Sequence, residues 1–127
     1  MQYIFKEQHT SDCIPPIALI KAAGVQTELK VDPKATPAEK HPNTRLIVEV
    51  HCRDGFGAVF CLAELMPDVG NRPAWLALDV DGQPLGPHHG PVKLIVPLDE
   101  KPVRWVHGVH SISVIDATTS TTRPGGA

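Results

Sequence analysis

The residues of this chain that could do chemistry gather around one Gly/Pro-rich loop and three cysteines. The loop reads Gly86-Pro87-His88-His89-Gly90-Pro91, with Lys93 just beyond it and Arg104-Trp105 further on. Recognition of phosphate or pyrophosphate needs cations beside exposed backbone N–H groups. Lys93 and Arg104 are the basic groups closest to the glycine loops, and the two histidines could hold a metal or an anion. The plainer alternative is a pair of solvated loop histidines and two solvated charges on edge strands. Adjacent side chains on an extended segment point apart, so His88 and His89 would rarely share one metal. His107 and His110 have H-x-x-H spacing, which shares a face only on a helix. Here the segment reads as strand, bend, strand, and no acidic third ligand follows, so a zinc site is not expected.

The cysteines are Cys13, Cys52 and Cys61, and an odd count does not fit a fully paired disulfide framework. Cys52 and Cys61 lie on two apolar runs that could be neighbouring strands. One disulfide is open there, and two buried thiols are the simpler account. Asp54 and Asp81 each precede a glycine, where an Asx hydrogen bond shapes a turn. Nothing ties them together as paired general acid and base. Nucleophile elbow, phosphate-binding Gly-Lys-Ser/Thr loop and dinucleotide fingerprint are all absent from the sequence.

These residues need strands and turns to position them. Leu46–Cys52 is a β-branched strand, Arg53-Asp54-Gly55 turns the chain, and 56–61 return as the second arm of a hairpin. Residues 75–80 and 93–97 read as further strands, with Asp81-Gly82 as another hairpin turn. Val103–Val106 and Ser111–Ile115 read as the last two, the latter alternating serine with apolar residues. Pro15-Pro16 opens a helix of about two turns that ends at Gly24, with Ile17 and Ile20 buried. Residues 62–66 allow one helical turn before Pro67. Residues 30–45 read as a solvated loop. The sum is an α+β domain dominated by a mixed β-sheet, with one or two short helices. Its core should include Trp75, Leu76, Leu94, Val96 and Trp105.

Length bounds this at one domain: 127 residues can bury roughly two-thirds of their unfolded surface. Thirteen prolines and ten glycines argue for many turns rather than long helices. A formal net charge of −2 gives no argument for nucleic acid or an anionic membrane as partner. No apolar run reaches the roughly 18 residues that a membrane span needs. Residues 1–13 read as an irregular N-terminal segment with a short strand at Tyr3–Phe5, without the features of a signal peptide. Residues 14–117 form the domain, and 118–127 are a low-complexity tail expected to be disordered.

The order of features from Pro15 to about Ile115 resembles the short, stand-alone sulfite-oxidase-like domains of the oxidoreductase molybdopterin-binding family. The match is carried by Ala22-Ala23-Gly24 closing the first helix and by Asp54-Gly55-Phe56, where the family has Asp-Gly-Tyr. It continues through Ala58-Val59-Phe60-Cys61-Leu62-Ala63-Glu64-Leu65, Asp81-Gly82-Gln83-Pro84-Leu85, Gly90 to Pro97 and Arg104-Trp105-Val106. Lys93 stands for the family's arginine.

That resemblance implies a sulfite oxidase-type molybdopterin-binding fold, with molybdopterin held by loops rich in Gly, Arg and His. Here those contacts would be His89, Gly90, Lys93 and Arg104. It implies redox or oxygen-atom transfer chemistry, an exported or periplasmic setting, and a small-molecule ligand or a redox partner protein. In full-length members a cysteine thiolate ligates the molybdenum, and it lies upstream of the first helix. Cys13 is the cysteine near that end and the candidate metal ligand; against this, it abuts the helix, where a small apolar side chain packs well. If it is no ligand, the rival reading holds: a non-catalytic binding or partner protein on the same fold, with no cofactor.

Overall fold

Short strand-forming runs broken by proline and Asp-Gly pairs give a sheet-dominated molecule with two short helices. The computed structural model describes residues 2–5, 9–28, 33–36, 42–87 and 90–117. In chain order the elements are β1 (Gln2–Phe5), β2 (His9–Ile14), α1 (Pro16–Ala22), β3 (Leu46–Cys52), β4 (Gly57–Cys61), α2 (Leu62–Leu65), β5 (Trp75–Ala77), β6 (Asp79–Val80), β7 (Gln83–Pro84), β8 (Lys93–Ile95) and β9 (Val109–Asp116). Among the described residues these strands form three sheets, ordered β1-β2-β5-β8, β4-β3-β9 and β6-β7. Every ladder in them is antiparallel, where a mixed sheet was expected.

The hairpin of β3 and β4 forms where the Asp-Gly turn predicts it, and the Asp54 carboxylate accepts the Phe56 amide at 2.9 Å. Its buried side chains alternate: Val48, Val50, Ala58 and Phe60 face inward. Asp81 and Gly82 both adopt positive φ, 52° and 79°. That pair of angles suits the tight turn between β6 and β7, because it matches the strand twist.

The main core lies between the inner face of the β4-β3-β9 sheet and Leu76 and Leu94, which pair directly across β5 and β8. Ile20 of α1 and Leu62 and Leu65 of α2 close it. A smaller cluster of Cys13, Ala77 and Ile95 occupies the opposite face of β2-β5-β8, with Trp75 and Trp105 packed against it. Leu76, Leu94 and Val96 are buried as expected, while both tryptophans are half-buried.

Four local expectations change. Residues 9–14 are strand, not irregular chain, because Cys13 and Ile14 pair with Ala77 and Leu76. The 75–80 strand breaks at Leu78 into β5 and β6. Residues 102–104 form a 3-10 turn instead of a strand, closed by the Trp105 amide on the Pro102 carbonyl at 3.2 Å. All three cysteines are free: Cys61 lies opposite Ile47 at one end of the hairpin and Cys52 at the other, so no disulfide joins them, but of this pair only Cys52 is buried and Cys61 is exposed, where two buried thiols were expected. The tail 118–127 lies outside the described residues. Among the described residues no helix is long and apolar enough to cross a membrane.

Candidate functional site

The expected anion contacts are each engaged within the chain or lie beyond view. His89 is outside the described residues. Gly90 is buried; its amide donates to the Gly86 carbonyl at 2.8 Å, and its own carbonyl accepts Arg53 Nη2 at 2.8 Å. Arg53 also reaches the Pro87 carbonyl at 3.2 Å, so this arginine pins the loop by its backbone. Lys93 Nζ stands 5.4 Å from the Trp105 ring centroid, within cation–π range.

Arg104 is the most heavily committed. Its Nε and Nη2 donate to the two oxygens of Asp99, both at 2.7 Å. Nη1 lies 3.4 Å from both the Val59 carbonyl and Glu64 Oε1. Its guanidinium carbon sits 4.3 Å from the Phe60 ring centroid. The Arg104 bonds, and then Arg72, hold the Asp99 carboxyl down at about 2, while Asp99 in turn raises Arg104 above its ordinary value. An anion arriving at Arg104 would have to displace Asp99.

Cys13 is 3% exposed and packs against Ala77 and Ile95. It stands in one row with Ala77 and Lys93 across β2, β5 and β8, so all three share a face of the sheet. The structure thus brings Cys13, Lys93 and the two tryptophans to one face. A metal-binding thiolate must be deprotonated and reachable, and Cys13 is neither open to solvent nor beside a cluster of ligands. Among the described residues there is no group of three or more His, Cys, Asp or Glu that could hold a metal.

An open space lies instead beside Trp75. A cleft of about 430 Å³ is walled by Pro15, Pro16, Pro67 and Pro73, with Leu65 and Trp75 on its sides and Asn71 and Arg72 as its polar groups. The prolines fix its walls, since each has a restricted φ. The 67–73 loop that carries Asn71 and Arg72 is docked by its backbone. Gly70 donates to Ala63 at 2.9 Å, Asn71 to Met66 at 2.9 Å and Arg72 to Glu64 at 2.8 Å, all carbonyls of α2 or the residue after it. Those bonds satisfy carbonyls that a helix end leaves open. Asn71 holds φ at 46°, a left-handed value that asparagine tolerates better than most residues.

Arg72 Nη2 reaches Asp99 Oδ1 at 3.0 Å, and its Nε is buried without a hydrogen-bond partner. Arg104 holds Asp99, Asp99 holds Arg72, and Arg72 lines the cleft. Arg104 therefore acts behind the site, as a positioning residue. Sequence reasoning missed Arg72, Asp99, Asn71 and Arg53. Asn71-Arg72-Pro73 carried only a loop signal, and the ion pairs span positions that no local pattern links.

Comparison of the chain with family models, with curated proteins and with solved structures finds no match.

Proposed function

We propose that this chain is a non-catalytic binding module of the sulfite-oxidase-like type, holding a small, largely apolar ligand through an anionic group. The observation that carries this reading is Arg72, set by Asp99 into the wall of a proline-lined cleft. Ligand pockets of this size class are mostly apolar, with a few placed polar groups that orient the ligand. A guanidinium held from behind gives a fixed donor for a carboxylate or phosphate oxygen. The Trp75 ring and the prolines give a flat, preformed wall for the apolar part.

A second reading keeps the redox function that the family resemblance implies. The face shared by Cys13, Lys93 and the tryptophans favours it. Bound molybdopterin would supply molybdenum for oxygen-atom or electron transfer. The residues present do not fit a thiolate-held metal: Cys13 is buried among apolar neighbours, and the Gly90 amide and Arg104 are already bonded.

Elemental analysis separates the two. Protein purified from a host that makes molybdopterin should carry no stoichiometric molybdenum, and Cys13→Ser should leave the metal content unchanged. About one molybdenum per chain, lost in Cys13→Ser while the fold persists, would replace the binding-module reading with the redox one.

A further inference from the structure

Resting on the binding-module reading above, we propose that the proline-walled cleft takes a planar monocarboxylate, an aryl or heteroaryl acid, and discriminates against the corresponding phosphate. Three features of the cleft make the choice: which backbone donors remain, how the charges sum, and how flat the walls are.

Phosphate sites combine cations with exposed backbone N–H groups. The walls of this cleft give up few such groups. Pro15, Pro16, Pro67 and Pro73 have no N–H. In the 67–73 loop the amides of Val69, Gly70, Asn71 and Arg72 donate to carbonyls of Met66, Ala63, Met66 and Glu64, at 2.8 to 3.1 Å. In the turn that opens α1, Ala18 donates to the Pro15 carbonyl at 3.0 Å, so that turn offers the cleft at most the Ile17 amide. The charged end of a ligand therefore meets chiefly side chains, Arg72 and its neighbour Asn71. A guanidinium is a planar fork, and it matches the two coplanar oxygens of a carboxylate.

The charges point the same way. Among the described residues that line the cleft, Arg72 is the charged one. Its charge is already shared: Asp99 holds it from behind, Arg104 holds Asp99, and Glu64 lies 3.4 Å from Arg104. Two cations thus stand against two carboxylates, and the 67–73 loop adds Asp68. A carboxylate brings one negative charge, whereas a phosphate monoester brings about 1.5 to 2 near neutral pH. The second charge would be drawn out of water against apolar walls with no further cation to meet it, which is unfavourable.

The apolar part of the ligand is set by the same walls. The Trp75 ring is half-buried, so part of it stays open to the cleft that it lines. An aromatic ring can stack on that indole or lie against the proline rings, and a puckered ring makes poorer contact with either.

NMR titrations of the full wild-type chain near neutral pH, followed at the Trp75 indole signal, test this with benzoate, phenyl phosphate and cyclohexanecarboxylate. Benzoate should bind at least about tenfold more tightly than phenyl phosphate, the ratio expected when one charge is left unmet. Cyclohexanecarboxylate should bind several-fold more weakly than benzoate. Arg72→Lys keeps the charge and gives up the fork, so the preference for benzoate over phenyl phosphate should shrink. Phenyl phosphate binding as tightly as benzoate would overturn the monocarboxylate assignment and leave the cleft an anion site. Cyclohexanecarboxylate equal to benzoate would overturn the planar ring. An undiminished preference in a folded Arg72→Lys chain would overturn the role given to the fork. No saturable shift with any of the three would overturn the binding-module reading itself, and this inference with it.

Discussion

Arg104 grips Asp99 with two parallel bonds, Nε to Oδ2 and Nη2 to Oδ1, each 2.7 Å long. Arg72 then shares Oδ1 at 3.0 Å. One carboxylate therefore ties the 3-10 turn at 102–104 to the loop at 67–73, and it sets where Arg72 stands in the cleft. Bidentate charge-assisted bonds of this kind fix geometry as well as energy.

Asp99 should make the fold acid-sensitive over a defined range. Its carboxyl is held at about 2, against an ordinary 3.8, and its side chain is 11% exposed. A depressed carboxyl contributes stability that is fully present above its unfolded value and is lost as pH falls through the folded one. The contribution is roughly 2 kcal/mol. Urea denaturation should show Asp99→Asn less stable than wild type by about that amount near neutrality. The gap should close between about pH 4 and pH 2. An equal gap at pH 7 and pH 2 would contradict the role given to Asp99.

Gly70 should not tolerate a side chain. A Cβ there would meet Glu64 Cα at 2.5 Å and the Glu64 carbonyl oxygen at 2.7 Å, both backbone atoms. Gly70→Ala must push the 67–73 loop off α2, at roughly 1–3 kcal/mol, the usual cost of overpacking. A lowered melting temperature is expected. An unchanged one would mean that the loop does not dock as described.

The thiols should divide by burial. In native protein a thiol reagent should modify Cys61, which is exposed, while Cys13 and Cys52 react only on unfolding. Cys13→Ser should cost about 1 kcal/mol, typical of a point change in a packed cluster. Fast modification of Cys13 in the native state would reopen it as a ligand.

What the sequence made legible was local. The β3–β4 hairpin showed itself because a β-branched run meets an Asp-Gly turn, and Asp54 makes the Asx bond expected of it. Helix α1 spans Pro16–Ala22 inside the expected two turns; Ile20 is buried as expected, while Ile17 is only half-buried. β2 was missed because His9-Thr10-Ser11-Asp12 carries no strand pattern, and its place in the sheet rests on pairing with distant Ala77 and Leu76. Val103–Val106 looked like a strand by composition, but Pro102 supplies no amide and Trp105 closes the turn back onto it.

The site was legible only in part. Lys93 and Arg104 stood out as cations near glycine loops, and both are engaged inside the chain. The cleft itself depends on Pro15 and Pro16 meeting Pro67 and Pro73 in space. No periodicity encodes that meeting. The partners of Asp99 lie 27 and 5 positions away, beyond any helix or hairpin rule.

Arg72 should matter to ligand and Arg104 to Arg72. Arg72→Met should abolish anion-dependent binding with a small loss of stability. Arg104→Lys keeps a charge but gives up the bidentate grip, so it should weaken the same binding by freeing Arg72 from its position. Titrations of each variant with benzoate, alongside denaturation curves, would separate lost binding from lost fold. Equal binding in wild type and Arg72→Met would remove Arg72 from the site.

The most direct measurement is an amide and indole NMR titration of the full chain with benzoate, and with benzyl alcohol as its uncharged counterpart. Benzoate should shift the signals of Asn71, Arg72 and the Trp75 indole in a saturable way, and benzyl alcohol should do so far more weakly. No saturable shift with benzoate, or shifts centred on Lys93 and Trp105 instead, would contradict the assignment of the proline-walled cleft as the binding site.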